Sequence, residues 1–547
     1  MLKLSKLQRT TSGLASIGNR RYDYRFPHIR YQSHSSKTRT DQAAVVPLRF
    51  FDNTPLTRSI IVRIMFVFDD VLDPGKLHDS LRAVVERDGW RRLGARLSRD
   101  ESGELEERIP FRFDAHRPAI KFSHIDHRTI RVKDHPLGKK LPKPSSRVAV
   151  VGKQDEFVTL AYSTDSPRSL QGYIDSQEAQ LGLRVVSFSD TTLVSVQWPH
   201  ALMDGMGGAA LLRAWTLALQ GRHDEIPNPV SDDPLAELGK HPTEEHKLSK
   251  QHMSSFDLLC YGLRNLRQIV FPNSERRIIC VPASFIASLR HDSLLKLKAD
   301  HPAGKKEDLF ISEGDILCAW WTRLYTTVVT QAAVGKSSRT IAFRNIIALQ
   351  KVLSTTTSLG SGRPYLGNAW QPIDVLFKAA DLSKQPLHSI AYQIRQSIKE
   401  LSSRGQVEAF TKLWRVSPFK LIPSFGDSGI LTIPCSNWTK LGFFDADFSA
   451  AIPDRTTSST AVRHRPDPPH SSRRGKPSFV DFGLTGLEKS MGAEALILPN
   501  AVCIMGKDAD GNYWLDIGAG RNEWGKIEEM LANATIRPRP TCFSLFH

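Results

Sequence analysis

The sequence predicts an α/β protein of at least two domains, and three observations carry that prediction. Residues 192–198 are β-branched and partly alternating, the pattern of a strand. A helix follows directly, because Ala209, Leu212, Ala214, Trp215, Leu217 and Leu219 recur at helical spacing. At 547 residues and 40% hydrophobic composition, the chain buries more core than one domain usually holds.

Residues 1–41 form a basic leader, with Asp23 the only acid in the first forty positions. That composition suits a disordered leader, or alternatively a mitochondrial presequence, although Leu2, Leu4, Leu7, Leu14 and Ile17 make only a thin apolar stripe. A strand is expected over 60–68. Asp73-Pro74 then opens a helix, Asp as N-cap and Pro in the first turn, with Leu77, Leu81, Val84 and Val85 on one face. These elements and the pair at 192–219 make the α/β layer of a first domain over 42–240.

Pro227, Pro229, Pro234 and Pro242 mark a polar crossover into a second domain, 241–547. It opens on an amphipathic helix over 256–271, whose Leu259, Leu263, Leu266, Ile269 and Val270 are expected to pack against that domain, with a membrane surface as the alternative. Ser312-Glu313-Gly314-Asp315 reads as a capping box, and Ile390, Ile394, Ile398 and Leu401 give 387–401 one apolar face. Residues 501–505 and 513–517 flank Asp510-Gly511 as a hairpin, and a helix over 522–532 closes the pattern. Residues 453–475, with four prolines among Thr, Ser, Arg and His, are too polar to order themselves and read as a disordered insertion. His464 and His470 within it are read as solvated rather than metal-binding.

The net charge of +17 is concentrated in the leader and in 453–475, leaving a mildly basic body. No basic stripe is interleaved with aromatics, so no nucleic-acid partner is expected, while an anionic small molecule suits the residual charge. Cys260, Cys280, Cys318, Cys435, Cys503 and Cys542 are scattered. Neither a zinc site nor a disulfide framework is expected, and a reducing, cytoplasmic home is. No apolar run reaches the roughly 18 residues of a membrane span, the best candidate being broken by Arg63.

The chemistry concentrates at Trp198-Pro199-His200-Ala201-Leu202-Met203-Asp204-Gly205. His200 stands at the strand-to-helix switch, where Pro199 removes a ladder donor and Gly205, Gly207 and Gly208 permit backbone conformations closed to other residues. Histidine ionises nearest neutrality and so strips a proton from an alcohol, amine or thiol. Asp204 is placed to fix the loop, orient the imidazole or pair with an arginine. The plainer reading is a turn histidine followed by an N-cap aspartate.

His200-Ala201-Leu202-Met203-Asp204-Gly205 resembles the HxxxDG motif of the BAHD acyl-CoA-dependent acyltransferases and their fungal relatives, the trichothecene acetyltransferases. Other stretches match in the same order: the opening Val46-Pro47-Leu48-Arg49-Phe50-Phe51-Asp52, the segment Trp90-Arg91-Arg92-Leu93, the G-N segment Tyr365-Leu366-Gly367-Asn368-Ala369, and Ser436-Asn437-Trp438. The resemblance spans about residues 46 to 530. Where the family has DFGWG, the chain is read as carrying Asp447-Phe448-Ser449-Ala450-Ala451, which keeps Asp447 as the structural residue but loses the glycines and tryptophan. Removing 453–475 would bring Gly475-Lys476-Pro477 directly behind that segment.

The resemblance implies two similar lobes of chloramphenicol-acetyltransferase type, with mixed sheets flanked by helices. It also implies acyl-CoA as co-substrate, no bound cofactor or metal, a small-molecule acceptor, a monomer, and a role in secondary metabolism. His200 would be the general base, and Asp204 a largely structural partner of an arginine. Gly205 would complete the motif, and Ser436 and Trp438 would donate to the oxyanion. Two alternatives remain: a condensation-type domain using carrier-protein thioesters, whose motif has a second histidine where this chain has Pro199, and a non-catalytic acyltransferase-like protein.

Overall fold

The computed structural model describes residues 43–270, 273–301, 309–331, 338–453, 473–485 and 500–536. The basic leader, positions 454–472 of the insertion with His464 and His470, and Cys542 lie outside the described residues.

Residues 61–68 are apolar apart from Arg63, and that pattern is the signature of a strand covered on both faces. Ile61–Phe68 is indeed fully buried inside a five-stranded sheet, between Phe479–Thr485 and Thr192–Pro199, both antiparallel to it. Gly182–Phe188 and Lys121–His127 complete the sheet, the last pair parallel. Asp73 caps Pro74–Val85 through the Gly75 and Lys76 amides. That helix packs beside Gly205–Leu219, where the Trp215 indole N–H reaches the Leu77 carbonyl (3.2 Å) and the Ser80 hydroxyl (2.9 Å).

A second, seven-stranded sheet runs Trp370–Lys378, Thr340–Ala348, Leu431–Asn437, Val502–Lys507, Tyr513–Gly520, Ser274–Val281 and Ala149–Lys153. Its helices include Glu313–Gln331 and Leu387–Leu401. Ser312 and Asp315 form the expected reciprocal box, Asp315 Oδ2 accepting the Ser312 amide at 2.7 Å, and Arg395 ties the same carboxylate to Leu387–Leu401. A small antiparallel sheet, Ala43–Pro47, Leu105–Pro110 and Arg96–Arg99, stands apart.

Two strands cross the division at residue 240. Phe479–Thr485 completes the first sheet and Ala149–Lys153 the second, so each half of the sequence lends an edge strand to the other. The described residues on either side of 454–472 are stitched together. The Phe448 amide donates to the Gly475 carbonyl (2.7 Å) and the Gly475 amide to Asp70 (2.7 Å). Gly475 has φ +72°, and a Cβ there would lie 2.2 Å from the Ser449 nitrogen, so only glycine fits.

The structure corrects one helix. Sequence reasoning packs the leucines of 256–271 against the second domain, whereas Ser255–Val270 turns Phe256, Leu259, Leu263 and Leu266 to solvent. The inward side carries Tyr261, against Met253, Ala342 and Ile430, and Asn265, which bonds the Tyr261 carbonyl.

Candidate active site

Strand Thr192–Pro199 ends at Pro199, and the His200 amide pairs with the Ile60 carbonyl at 2.9 Å. A tight turn follows, and Asp204 Oδ1 caps Gly205–Leu219 by accepting the Met206 (2.9 Å) and Gly207 (3.0 Å) amides. The glycines of this turn serve proximity rather than unusual dihedrals, since none of the three has positive φ. A Cβ on Gly205 would lie 3.0 Å from Leu441, one on Gly207 2.8 Å from Met203, and one on Gly208 3.1 Å from Trp198.

The arginine partner expected for Asp204 is absent among the described residues. Its Oδ2 accepts a third main-chain amide, Ala369, at 2.9 Å. Burial pushes this carboxyl up to about 6, against the pull of the Ala369, Gly207 and Met206 amides. The arginine of the site is Arg92, one residue further out: it pairs with Asp52 at 3.0 Å and bonds the Leu366 carbonyl. Asp52 in turn accepts the Asn368 amide (2.8 Å) and its Nδ2 (2.9 Å), and the same Nδ2 donates to the His200 carbonyl at 2.9 Å. Asp52 and Asn368 are completely buried. Three stretches singled out in the sequence, the opening, the Trp90 segment and the G-N segment, thus converge on the main chain of His200. Asp52, Arg92 and Asn368 had no assigned role, and their presence inside those stretches is the signal that marks them.

The His200 ring is partly exposed, with Nδ1 buried and without a hydrogen-bond partner, and it lies 6.4 Å from the Trp370 ring. Burial lowers its pKa below the ordinary histidine value, opposed by its own carbonyl, Asn368 and the Asp52 charge. The shift favours the neutral imidazole, the form a base requires. From the second sheet, Trp438 brings its indole to 3.5 Å from where a Gly205 Cβ would stand. Its N–H donates to Ser436 Oγ at 2.7 Å, so the indole is spent on the serine and leaves the serine hydroxyl proton free to point elsewhere.

No protein-family model matches the chain. It is 36% identical over 502 residues to the protein named transcriptional regulator calD of Penicillium decumbens, covering 90% of this chain and 96% of that one. It is 34% identical over 496 residues to the acetyltransferase adrJ of Penicillium roqueforti, covering 89% and 95%. Among solved structures, F. graminearum TRI101 complexed with coenzyme A and T-2 mycotoxin superimposes with TM-score 0.60 at 14% identity, covering 89% of this chain and 98% of that one. Vinorine synthase superimposes with TM-score 0.51 at 13% identity, covering 93% and 97%.

The chain belongs to the BAHD-type acyltransferase family.

Asp447, read as the aspartate of the BAHD DFGWG motif, is a turn residue accepting the Ser449 amide at 2.9 Å. The structural role falls to Asp481-Phe482-Gly483 on strand Phe479–Thr485. Asp481 forms a wholly buried ion pair with Arg63 at 2.7 Å, and Gln154 donates to its other oxygen at 3.2 Å. Gly483 lies opposite Arg63 in the ladder, where a Cβ would stand 2.1 Å from Nη2. A glycine is required there so that the guanidinium can cross the strand. Phe482 packs its ring 4.1 Å from Trp438, which links this motif to the candidate oxyanion residues.

Proposed function

We propose that the protein moves an acyl group from acyl-CoA to a hydroxyl or amine of a small molecule in secondary metabolism, with His200 as general base. The observation that carries this reading is a histidine at the strand-to-helix switch that stays partly open while its main chain is tied down through Asn368. With Nδ1 buried, Nε2 is the nitrogen left to meet an acceptor. A thioester is already activated, so the site needs only to take the acceptor proton and hold the oxyanion of the tetrahedral intermediate. Nε2 takes that proton as the acceptor oxygen or nitrogen bonds to the acyl carbon. Collapse then breaks the carbon–sulfur bond, and the imidazolium returns the proton to the leaving thiolate.

Ser436, freed by the Trp438 N–H to donate its own proton, supplies the oxyanion bond in this scheme. Asp204 acts through structure, holding the helix start and Ala369. The coenzyme A in the TRI101 complex supports the choice of donor. The proposed form is a monomer. A cytoplasmic location agrees with free thiols, Cys318 and Cys435 sharing a thiol hydrogen bond at 3.7 Å and no disulfide.

The test is thiol release from acetyl-CoA with a panel of alcohols and amines, comparing the wild type with His200→Ala. A loss of about a hundredfold or more is expected. Absence of turnover by the wild type across the panel would favour a non-catalytic protein, and turnover only with carrier-protein thioesters would favour condensation chemistry.

A further inference from the structure

Five of the twelve large apolar side chains that stand exposed among the described residues sit on one helix, Ser255–Val270. Four of them, Phe256, Leu259, Leu263 and Leu266, follow i, i+3, i+7 and i+10 and are 71%, 58%, 62% and 51% exposed. That spacing makes one narrow stripe along roughly 15 Å of helix axis. The helix itself is seated. Tyr261 packs beneath it, and Asp257 bonds both the amide (3.1 Å) and hydroxyl (2.6 Å) of Ser254 at its start.

The charge around the stripe is net positive. Lys250 precedes the helix and Arg264 lies on it, both exposed and both without an ion pair among the described residues. The only acid on the helix, Asp257, sits in its first turn, where it accepts the Ser254 amide and hydroxyl and keeps its charge. An apolar stripe with two exposed cations against one capped acid is complementary to a surface that is apolar within and anionic at its rim, which describes a lipid bilayer carrying acidic headgroups. A second protein would present such a rim only by special arrangement.

We propose that helix Ser255–Val270 docks the protein on an anionic lipid surface. Phe256, Leu259, Leu263 and Leu266 enter the boundary between headgroups and acyl chains, and Lys250 and Arg264 meet lipid phosphates. No helix among the described residues is long and apolar enough to cross a membrane, so the attachment is peripheral and reversible. This inference does not depend on the role of His200.

The test is sedimentation of the full chain with phosphatidylcholine vesicles containing about a third phosphatidylserine, against phosphatidylcholine alone. The wild type is expected to bind the acidic vesicles, and raising the salt from about 0.1 to 0.5 M should weaken binding several-fold. Leu259→Glu with Leu263→Glu should lower partitioning by at least about tenfold, and Arg264→Glu by a smaller factor. These changes lie on the solvent face, so the circular dichroism and Tm of each variant should match the wild type. Failure of the wild type to bind acidic vesicles, or undiminished binding by the double variant, would overturn the proposal. A double variant that instead shifts a dimer to a monomer would assign the stripe to a second copy of the chain and also overturn it.

Discussion

Replacing Asn368 by alanine tests the link between the buried network and His200. The side chain makes three contacts: Nδ2 to Asp52 (2.9 Å), Nδ2 to the His200 carbonyl (2.9 Å), and Oδ1 from the Trp370 indole N–H (3.2 Å). Asp52 keeps the Asn368 main-chain amide and Arg92, so little is lost there. The His200 carbonyl and the Trp370 N–H lose this side-chain partner, at about 1–3 kcal/mol each, and the space left by three heavy atoms adds about 1 kcal/mol. A total loss of about 3–7 kcal/mol is expected, read as a lowered urea midpoint at unchanged slope. Once the carbonyl is released, the imidazole drifts from its productive position. A displacement of about 1 Å should lower kcat roughly a hundredfold while KM for acyl-CoA stays within a few-fold. Asn368→Asp, which sets a second carboxylate beside Asp52, should be at least as damaging. A stability loss below about 1 kcal/mol would refute the energetic reasoning. A large stability loss with kcat unchanged would show that the network scaffolds the fold without holding the base.

Other expectations follow from the same geometry. Ser436→Ala should lower kcat about a hundredfold by removing an oxyanion donor, and Trp438→Phe about tenfold, because it removes only the N–H that orients that hydroxyl. Steady-state kinetics with acetyl-CoA separates the two. Asp481→Ala leaves buried Arg63 without its ion-pair partner, so a loss of about 3–5 kcal/mol is expected in denaturant titration. Because His200 gives up its proton more readily folded than unfolded, kcat/KM should stay level through neutrality and fall on the acid side with an apparent pKa below 6.5. The same depressed value makes the His200 contribution to stability complete above 6.5 and lost as pH falls from there through its folded value. Asp204 acts in the opposite sense, since its folded value of about 6 lies above the ordinary carboxylate value and favours folding as pH falls toward 4.

Local side-chain pattern is enough to place the elements and the chemistry. The strand over 192–198, the cap at Asp73, the box at Ser312 and Asp315, the hairpin around Asp510-Gly511 and the His200 switch all follow from side-chain period and backbone chemistry within a few residues. The His200–Gly205 motif was legible because its spacing is short and its residue types are chemically constrained. Tertiary structure alone decided what each polar group faces. Asp204 met three amides instead of an arginine, and Asn368 came from 168 positions away to hold the His200 carbonyl. Asp481 came from 418 positions away to neutralise Arg63, which moved the structural motif from Asp447 to Asp481. The outward turn of Ser255–Val270 has the same origin. Periodicity records that a helix has an apolar face, whereas what covers that face is set by chain segments remote in sequence.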